Sequence, residues 1–505
     1  MQRKPNFVFI LTDDQGAWAL GRETPEIITP NLDRLSREGV YFRNFFCASP
    51  VCSPARCSIA TGRLPSAHGV HDWLRSGNIK KDALPPDMQK AFPEEKEAVD
   101  YLSGMPTCFD ALRAAGYRLG LVGKWHMGDS MRPRPGFDTW ISLLRGGSLY
   151  KHADVCVEGK PQFVDQYVTD FFTDHAVRYL DDHPQEPFLL SLHYTAPHTP
   201  WNHEQHREDM LALYDACEFP SHPLQTVHPH QVANMDVGDT EEKRRYFLKG
   251  YYAAISAVDE GVGRVLDALE RNGLKENTVV VFAGDNGMNL GQHGVWGKGN
   301  GTYPQNMYDS SVKVPFIVWG PGWVRQGAVV DNLLSHYDIL PTLCEYLGQT
   351  VTPSGPLPGE SFLEDLTHGR PPQDRRICIL DEYGPVRMIR SRTHKLIYEG
   401  YQGGHQLYDL AADPGETVNH FGDPAYAAVQ QELWAQLQDA FQRFSLSPFD
   451  GAKAAPTGSG QLGPITREGE NVFHPEIRLY WDEKEKNESI VNPERDPLSH
   501  EGIRQ

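Results

Sequence analysis

Cys52-Ser53-Pro54-Ala55-Arg56 gathers a thiol, a helix-starting proline and a guanidinium within one short stretch. Pro54 suits a first helical turn and Gly62 a C-terminal stop, so Cys52 is expected at or just before a helix N-terminus. Exposed N–H groups and the helix dipole favour an anion there, and Arg56, one turn on, adds a permanent positive charge able to bind an oxyanion bidentately. Alone, a cysteine in this position is more often a small buried hydrophobe. Asp13-Asp14 and Asp285-Asn286 supply three carboxylates and an amide oxygen, the hard ligands that Ca²⁺ or Mg²⁺ prefers. Either pair by itself reads as a turn or helix cap; two pairs at equivalent strand ends shift that balance. Lys124, His126 and His198 add an ammonium and two imidazoles; taken singly, a solvated surface lysine and satisfied core histidines are the favoured readings.

The elements that must position these groups alternate. Residues 7–11 form a continuous apolar run, which fits a strand buried on both faces, and residues 118–122, 188–192 and 278–282 repeat the pattern. A further run, 314–319, carries Pro315, which suits an edge or a strand start. Helices are expected from Pro30, with Thr29 as N-cap and Gly39 as stop, over 107–115, closed by Gly116, and over 243–271. Such alternation predicts an α/β fold, a large mostly parallel sheet sandwiched by helices with right-handed crossovers. Ligands of open α/β sheets bind beyond the carboxyl ends of the strands. Asp13-Asp14, Lys124 with His126, His198, and Asp285-Asn286 each follow a different strand, so four strands deliver polar groups to one edge.

Residues 355–376 are rich in Pro, Gly and charge and read as a linker. Short segments at 377–380, 386–391, 394–399 and 406–410 are spaced like an antiparallel meander, followed by a helix over 424–444. The organisation expected is a catalytic domain over 1–370, a smaller C-terminal antiparallel α+β domain over 371–445, and an arm over 446–505 that could line the pocket or wrap a neighbouring copy.

The chain has 505 residues, with 48 Lys+Arg against 67 Asp+Glu and a net charge of −19. Hydrophobic residues at 39% exclude wholesale disorder, and the acidic balance argues against coating nucleic acid. Eight cysteines without a C-x-x-C pair suggest neither a disulfide scaffold nor zinc, and a reducing compartment is the simpler reading. No signal-peptide pattern opens the chain, and no apolar stretch approaches the roughly 18 residues that span a bilayer. A soluble, cytoplasmic protein without a membrane role is expected, periplasmic or secreted if a leader was removed.

Taken together, these motifs resemble those of type I sulfatases, in the alkaline-phosphatase-like superfamily. Cys52-x-Pro54-x-Arg56 matches the C-x-P-x-R signature, and the likeness continues through Thr12-Asp13-Asp14, Gly123-Lys124-Trp125-His126, Ala196-Pro197-His198, Gly284-Asp285-Asn286-Gly287 and Gly294-Val295-Trp296-Gly297-Lys298. Leu407-Tyr408-Asp409-Leu410-x-x-Asp413-Pro414-x-Glu416-Thr417-x-Asn419 resembles the second-domain motif. The resemblance implies that Cys52 is converted to formylglycine by a formylglycine-generating or sulfatase-maturating enzyme. It also implies that Asp13, Asp14, Asp285, Asn286 and the modified Cys52 hold one divalent cation, usually Ca²⁺, with Mg²⁺ as the other candidate. The aldehyde hydrate would attack sulfur and expel the alcohol. His126 would then take the second hydroxyl's proton, Lys124 and Lys298 would grip sulfate oxygens, and His198 with Lys298 would protonate the leaving alcohol. A phosphodiesterase or phosphonate monoester hydrolase is the alternative within the superfamily, although those relatives tend to carry Asp-His where this chain has Asp285-Asn286. An unmodified glycan-binding pseudoenzyme is the alternative outside catalysis. His68, His71, Asp72, Trp73, Trp201, His203 and Tyr303 are candidates for the pocket wall, and aromatics beside polar groups suit a sulfated carbohydrate over a simple aryl sulfate.

Overall fold

The computed structural model describes residues 4–450 except 93–94, 183–185, 233–234, 303, 351–354, 381–385, 400–403 and 448, together with a strand pair at 457–458 and 463–464. Tyr303 and most of the 446–505 arm therefore lie outside the described residues. The strands of the main sheet are β1 (Asn6–Thr12), β2 (Val40–Phe42), β3 (Arg118–Lys124), β4 (Phe137–Leu143) and β5 (Ala153–Val157). They continue with β6 (Lys160–Val164), β7 (Phe188–His193), β8 (Thr278–Gly284), β9 (Phe316–Trp319) and β10 (Ala328–Val330). Their order across the ten-stranded sheet is β10-β2-β9-β8-β1-β7-β3-β4-β5-β6. The central block β8-β1-β7-β3-β4 is parallel. Antiparallel pairings flank it, β9 on both its neighbours and β5 with β4 and β6, so the sheet is mixed. The run 314–319 thus forms an interior strand, and Pro315 stands just ahead of its first ladder position, where a missing N–H costs nothing.

Helices α1 (Pro30–Glu38), α2 (Cys52–Thr61), α3 (Cys108–Ala114), α4 (Val168–Asp182), α5 (Glu241–Arg271) and α6 (Ile339–Leu347) cover the two faces. The period-two alternation of β1 decides which face each side chain joins. Val8 and Ile10 pack with Leu32 and Leu35 of α1, Phe172 of α4 and Ala257 of α5. Phe7 and Phe9 face α3 and α6, with Leu112 and Leu340. On that second face the helical layer is incomplete. Phe7, Phe9 and Val281 are only half-buried, bordering an apolar hollow with Leu343 and Tyr346, so β1 is not sealed on both sides.

Thr29 precedes α1 but does not cap it. Its hydroxyl accepts from Gly21 N (2.7 Å) and donates to Asp33 (3.2 Å), while Asp259 of α5 accepts from the N–H groups of Asn31 (3.2 Å) and Leu32 (2.7 Å). A carboxylate from a neighbouring helix has taken the capping role.

In the C-terminal part, β11 (Ile377–Leu380), β12 (Val386–Arg390), β13 (His394–Glu399) and β14 (Gln406–Asp409) form an antiparallel meander, and α7 (Ala427–Phe444) packs on it through Leu433, Leu437 and Phe441. The stretch 355–376 is more than a connection: it holds a short helix, Leu363–Thr367, and inserts Phe362 and Leu366 into the core shared with β9 and β12. A buried ionic knot joins the two parts. Lys395 of β13 donates to Asp309 Oδ1 (2.6 Å), Met307 O (2.9 Å) and the Glu416 carboxylate, while Glu416 Oε2 accepts from Asp309 N (2.7 Å). The eight cysteines are free thiols, and among the described residues no helix is long and apolar enough to cross a membrane.

Candidate active site and metal centre

Adjacent parallel strands β8, β1, β7 and β3 end side by side, and their carboxyl ends bring Asp285, Asp13-Asp14, His198 and Lys124 together. Backbone bonds lock these ends to one another: Asp13 N donates to Ala196 O (3.2 Å), and Asp285 N to Thr12 O (3.0 Å). Asp14 has a left-handed φ of 62°, unusual for a residue with a side chain, and is fixed there by its N–H on Asp285 Oδ1 (3.1 Å) and by the Tyr251 hydroxyl on its carbonyl (2.7 Å).

Ligand oxygens of Asp13, Asp14 and Asp285, all buried, lie within 4.8 Å of one another. Three buried anions so close need compensation, and each has a cation. Lys124 Nζ is 2.5 Å from Asp13 Oδ2, Lys298 Nζ 2.6 Å from Asp14 Oδ1, and Arg56 Nε 2.8 Å from Asp285 Oδ2. Burial pushes Asp14 and Asp285 upward, but Lys298, His198 and Lys124 hold Asp14 below the usual carboxylate range, and Arg56 with Lys124 does the same for Asp285. Asp13 stays well above that range because burial outweighs Lys124 and its two acidic neighbours add to it. Asp13 Oδ1 and Asn286 Oδ1 are buried with no hydrogen-bond partner among the described residues. The Asn286 amide donates to Asp14 Oδ1 (2.8 Å) and Gly287 O (2.9 Å), leaving its oxygen as a free acceptor. Orphaned hard oxygens amid three carboxylates fit an oxygen-ligated divalent cation.

Cys52 is the first residue of α2, which Gly62 closes at a φ of 67°, as the spacing predicted. Its Sγ lies 3.6 Å from Lys298 Nζ. Burial raises the thiol's pKa, but Lys124 and Lys298 outweigh it and bring the group below its ordinary value. Arg56 is buried; Nε pairs with Asp285 and Nη1 donates to the Lys124 carbonyl (2.8 Å), so two donors brace a carboxylate and a strand end, while Nη2 has no hydrogen-bond partner among the described residues.

His126 Nε2 is 2.9 Å from Leu74 O. A carbonyl can only accept, so the hydrogen-bond geometry assigns the proton to Nε2 and leaves Nδ1, which has no partner among the described residues, as a basic nitrogen. Burial and the nearby Lys124 keep the ring neutral, well below the ordinary histidine value. His198 is oriented the other way, Nδ1 donating to Thr199 O (2.7 Å) and Nε2 lying 3.6 Å from Asp14 Oδ2. Lys298 is presented by a clamped loop. The Asn306 amide donates to Lys298 O (3.0 Å) and Gly299 O (3.2 Å), and that of Asn289 to Gly297 O (2.8 Å).

The expected wall residues divide. His68 is buried between Ser58 Oγ (3.1 Å from Nε2) and Val70 N, and Trp201 is buried with its indole N–H on Pro197 O (2.9 Å), propping the turn that carries His198. His71 and Asp72 are buried too. Trp73, beside the Leu74 that holds His126, and His203, stacked on Tyr246 at 3.9 Å, keep partial exposure. Sequence reasoning missed Asn306, the Tyr150 hydroxyl on His198 O (2.7 Å), and Gly146-Gly147, which pack on the His126 and His198 imidazoles. Only the bare Gly-Gly pair offered a signal, and it reads as a turn.

The sequence matches the Sulfatase family over residues 5–349, and the C-terminal region of N-sulphoglucosamine sulphohydrolase over residues 291–443. It is similar to an N-acetylglucosamine-6-O-sulfatase of Bacteroides thetaiotaomicron, 26% identical, with 88% of this chain and 87% of the relative covered. A choline-sulfatase of Rhizobium meliloti is 27% identical, with 89% and 88% covered. The solved structure of BT4656 in complex with its substrate D-glucosamine-2-N,6-O-disulfate superposes with a TM-score of 0.71 at 22% identity, over 89% of this chain and 99% of that one. A family match over more than half the chain, on a large mixed sheet followed by a small antiparallel one, settles the class: the chain belongs to the Sulfatase family and is a sulfuric ester hydrolase of alkaline-phosphatase-like fold.

Proposed function

We propose that the chain removes sulfate from a sulfated carbohydrate, using a formylglycine made from Cys52 by a formylglycine-generating or sulfatase-maturating enzyme and one divalent cation, Ca²⁺ foremost. The observation that carries this reading is Cys52 at the start of α2, 3.6 Å from Lys298 Nζ, which in turn pairs with Asp14 of the carboxylate cluster. Once formed, the hydrated aldehyde would supply one hydroxyl as the nucleophile and a second whose deprotonation back to the carbonyl would expel sulfate on the first oxygen, which a thiol lacks. A cation on Asp13, Asp14, Asp285, Asn286 and residue 52 supplies a Lewis acid beside that nucleophile.

The chain's own groups do the rest. Asp14 and Asp285 are held as carboxylates by their cationic partners, and a cation on Asp13 would ionise the third; three carboxylates against Lys124, Lys298 and Arg56 would then balance, and the dication would leave the site positive for an anionic ester. Lys124 and Lys298 hold sulfate oxygens and the Nδ1 of His126 accepts a proton; His198, once doubly protonated beside Asp14, gives its Nε2 proton to the departing alcohol and keeps the Nδ1 proton on Thr199 O. The glycan-directed relatives and the half-exposed Trp73 and His203 support a carbohydrate; the choline-sulfatase relative makes a small alkyl ester the alternative to exclude. The test is mass spectrometry of the Cys52 peptide from native-host protein, with turnover of a panel of sulfated sugars, choline sulfate and an aryl sulfate before and after chelation. Conversion of Cys52, loss of activity on chelation and preference for a sugar are expected. An unmodified thiol in active protein would refute the nucleophile, and preference for choline or aryl sulfate would refute the carbohydrate.

A further inference from the structure

The segment joining β4 to β5 crosses both catalytic imidazoles through Gly146-Gly147. A Cβ on Gly146 would fall 2.1 Å from Cε1 and 2.2 Å from Nε2 of His126. On Gly147 it would meet the His198 ring, at 3.2 Å from Cε1 and 3.9 Å from Nε2, and the three nearest atoms all belong to that ring. Neither glycine has a left-handed φ, so space, and not backbone conformation, excludes a side chain at 146, while at 147 a methyl would crowd the His198 ring.

The segment is braced on both sides. Leu144 N donates to Asp154 O (3.0 Å), Ser148 Oγ to Asp154 Oδ1 (3.0 Å), Tyr150 OH to His198 O (2.7 Å), and the N–H groups of Tyr150 and Lys151 share Gln205 Oε1 (3.1 Å each). Arg145 stacks over Phe92 at 4.1 Å. These contacts on both flanks hold the strap against His198.

His198 spends Nδ1 on Thr199 O, which leaves Nε2 for the leaving alcohol, and Gly147 lies over the Cε1 corner beside it, a Cβ there being 3.2 Å from Cε1, 3.6 Å from Nδ1 and 3.9 Å from Nε2. We propose that Gly147 is a specificity-determining position: its missing side chain leaves room beside His198 for a leaving alcohol that carries a ring, while Gly146 positions His126. This rests on the assignment of His198 as proton donor to the alcohol.

The experiment compares N-acetylglucosamine 6-sulfate with choline sulfate, both primary esters, one with a ring behind the ester carbon and one slender. G147A is expected to lower kcat/KM for the sugar ester about tenfold, mainly through KM, and for choline sulfate less than about threefold, with G147V widening the gap. G146A should lower kcat on both esters alike. Equal loss on both esters in G147A, or no loss on either, would overturn the proposal. Melting temperature identifies a variant that merely fails to fold, and the Kd ratio of the two esters in a C52S background gives the same discrimination without turnover. H198A run in parallel tests the donor assignment separately: unchanged kcat on both esters would refute that reading whatever G147A does.

Discussion

Arg56 is the cation of the site that braces a carboxylate and a strand end together. One turn into α2, it uses two separate donors on two separate acceptors, Nε on Asp285 and Nη1 on the Lys124 carbonyl, each at 2.8 Å. A lysine there could reach only one of them, because it carries a compact ammonium in place of a planar fork. R56K should therefore lose one of the two bonds, the Lys124 carbonyl keeping only the His193 imidazole at 3.1 Å, at a cost of about 0.5–1.5 kcal/mol of stability. With Asp285 no longer braced, the variant should also lose its cation at lower chelator concentration. Thermal unfolding and a chelator titration of activity measure both effects. If Arg56 gripped sulfate directly, R56K would instead raise KM with the chelator midpoint unmoved.

At the scale of elements, the contrast between Thr29 and Asp259 shows what local sequence can and cannot specify. Thr-Pro ahead of a helix satisfies every local rule for a cap, yet the donors of α1 are taken by a carboxylate more than two hundred residues away. D259A should cost about 1–2 kcal/mol in urea unfolding, as loss of a cap with buried donors left open. T29A should cost less, since its hydroxyl serves only Gly21 N and Asp33; equal costs would return the cap to Thr29. The same distinction explains how much of the site was legible. Contiguous apolar runs mark β1, β3, β7 and β8, and the residues just past each run are sequence neighbours of their strands, so Asp13, Lys124, His198 and Asp285 could be placed on one edge from the chain alone. Asn306, the Gly146-Gly147 strap and the interior position of β9 depend on partners far away in sequence, and nothing local announces them. The 355–376 stretch misled for a related reason: its Pro, Gly and charge content masks two apolar residues, Phe362 and Leu366, that reach the core.

Over the whole molecule, the net charge of −19 raises the question of how an acidic protein meets an anionic substrate. The three cations of the site are almost inaccessible, Lys124 at 0%, Arg56 at 1% and Lys298 at 6% exposure, and each is paired with a carboxylate. At physiological ionic strength the field of an exposed charge fades within about 8 Å, so buried, paired cations can add little to the field beyond the pocket mouth. What a distant sulfate ester feels is the acidic surface, which repels it weakly, and attraction begins only inside the pocket. Raising salt from about 0.05 to about 0.5 M should then change kcat/KM by less than about threefold, and upward if at all, because screening removes a repulsion. K298A, by contrast, should lower kcat/KM by about a hundredfold or more, the scale of losing one preorganised charge at a reacting centre. A steep fall of kcat/KM with salt in the wild-type protein would instead require an exposed basic surface that steers substrate in, and the division between weak long-range and strong short-range forces would have to be abandoned.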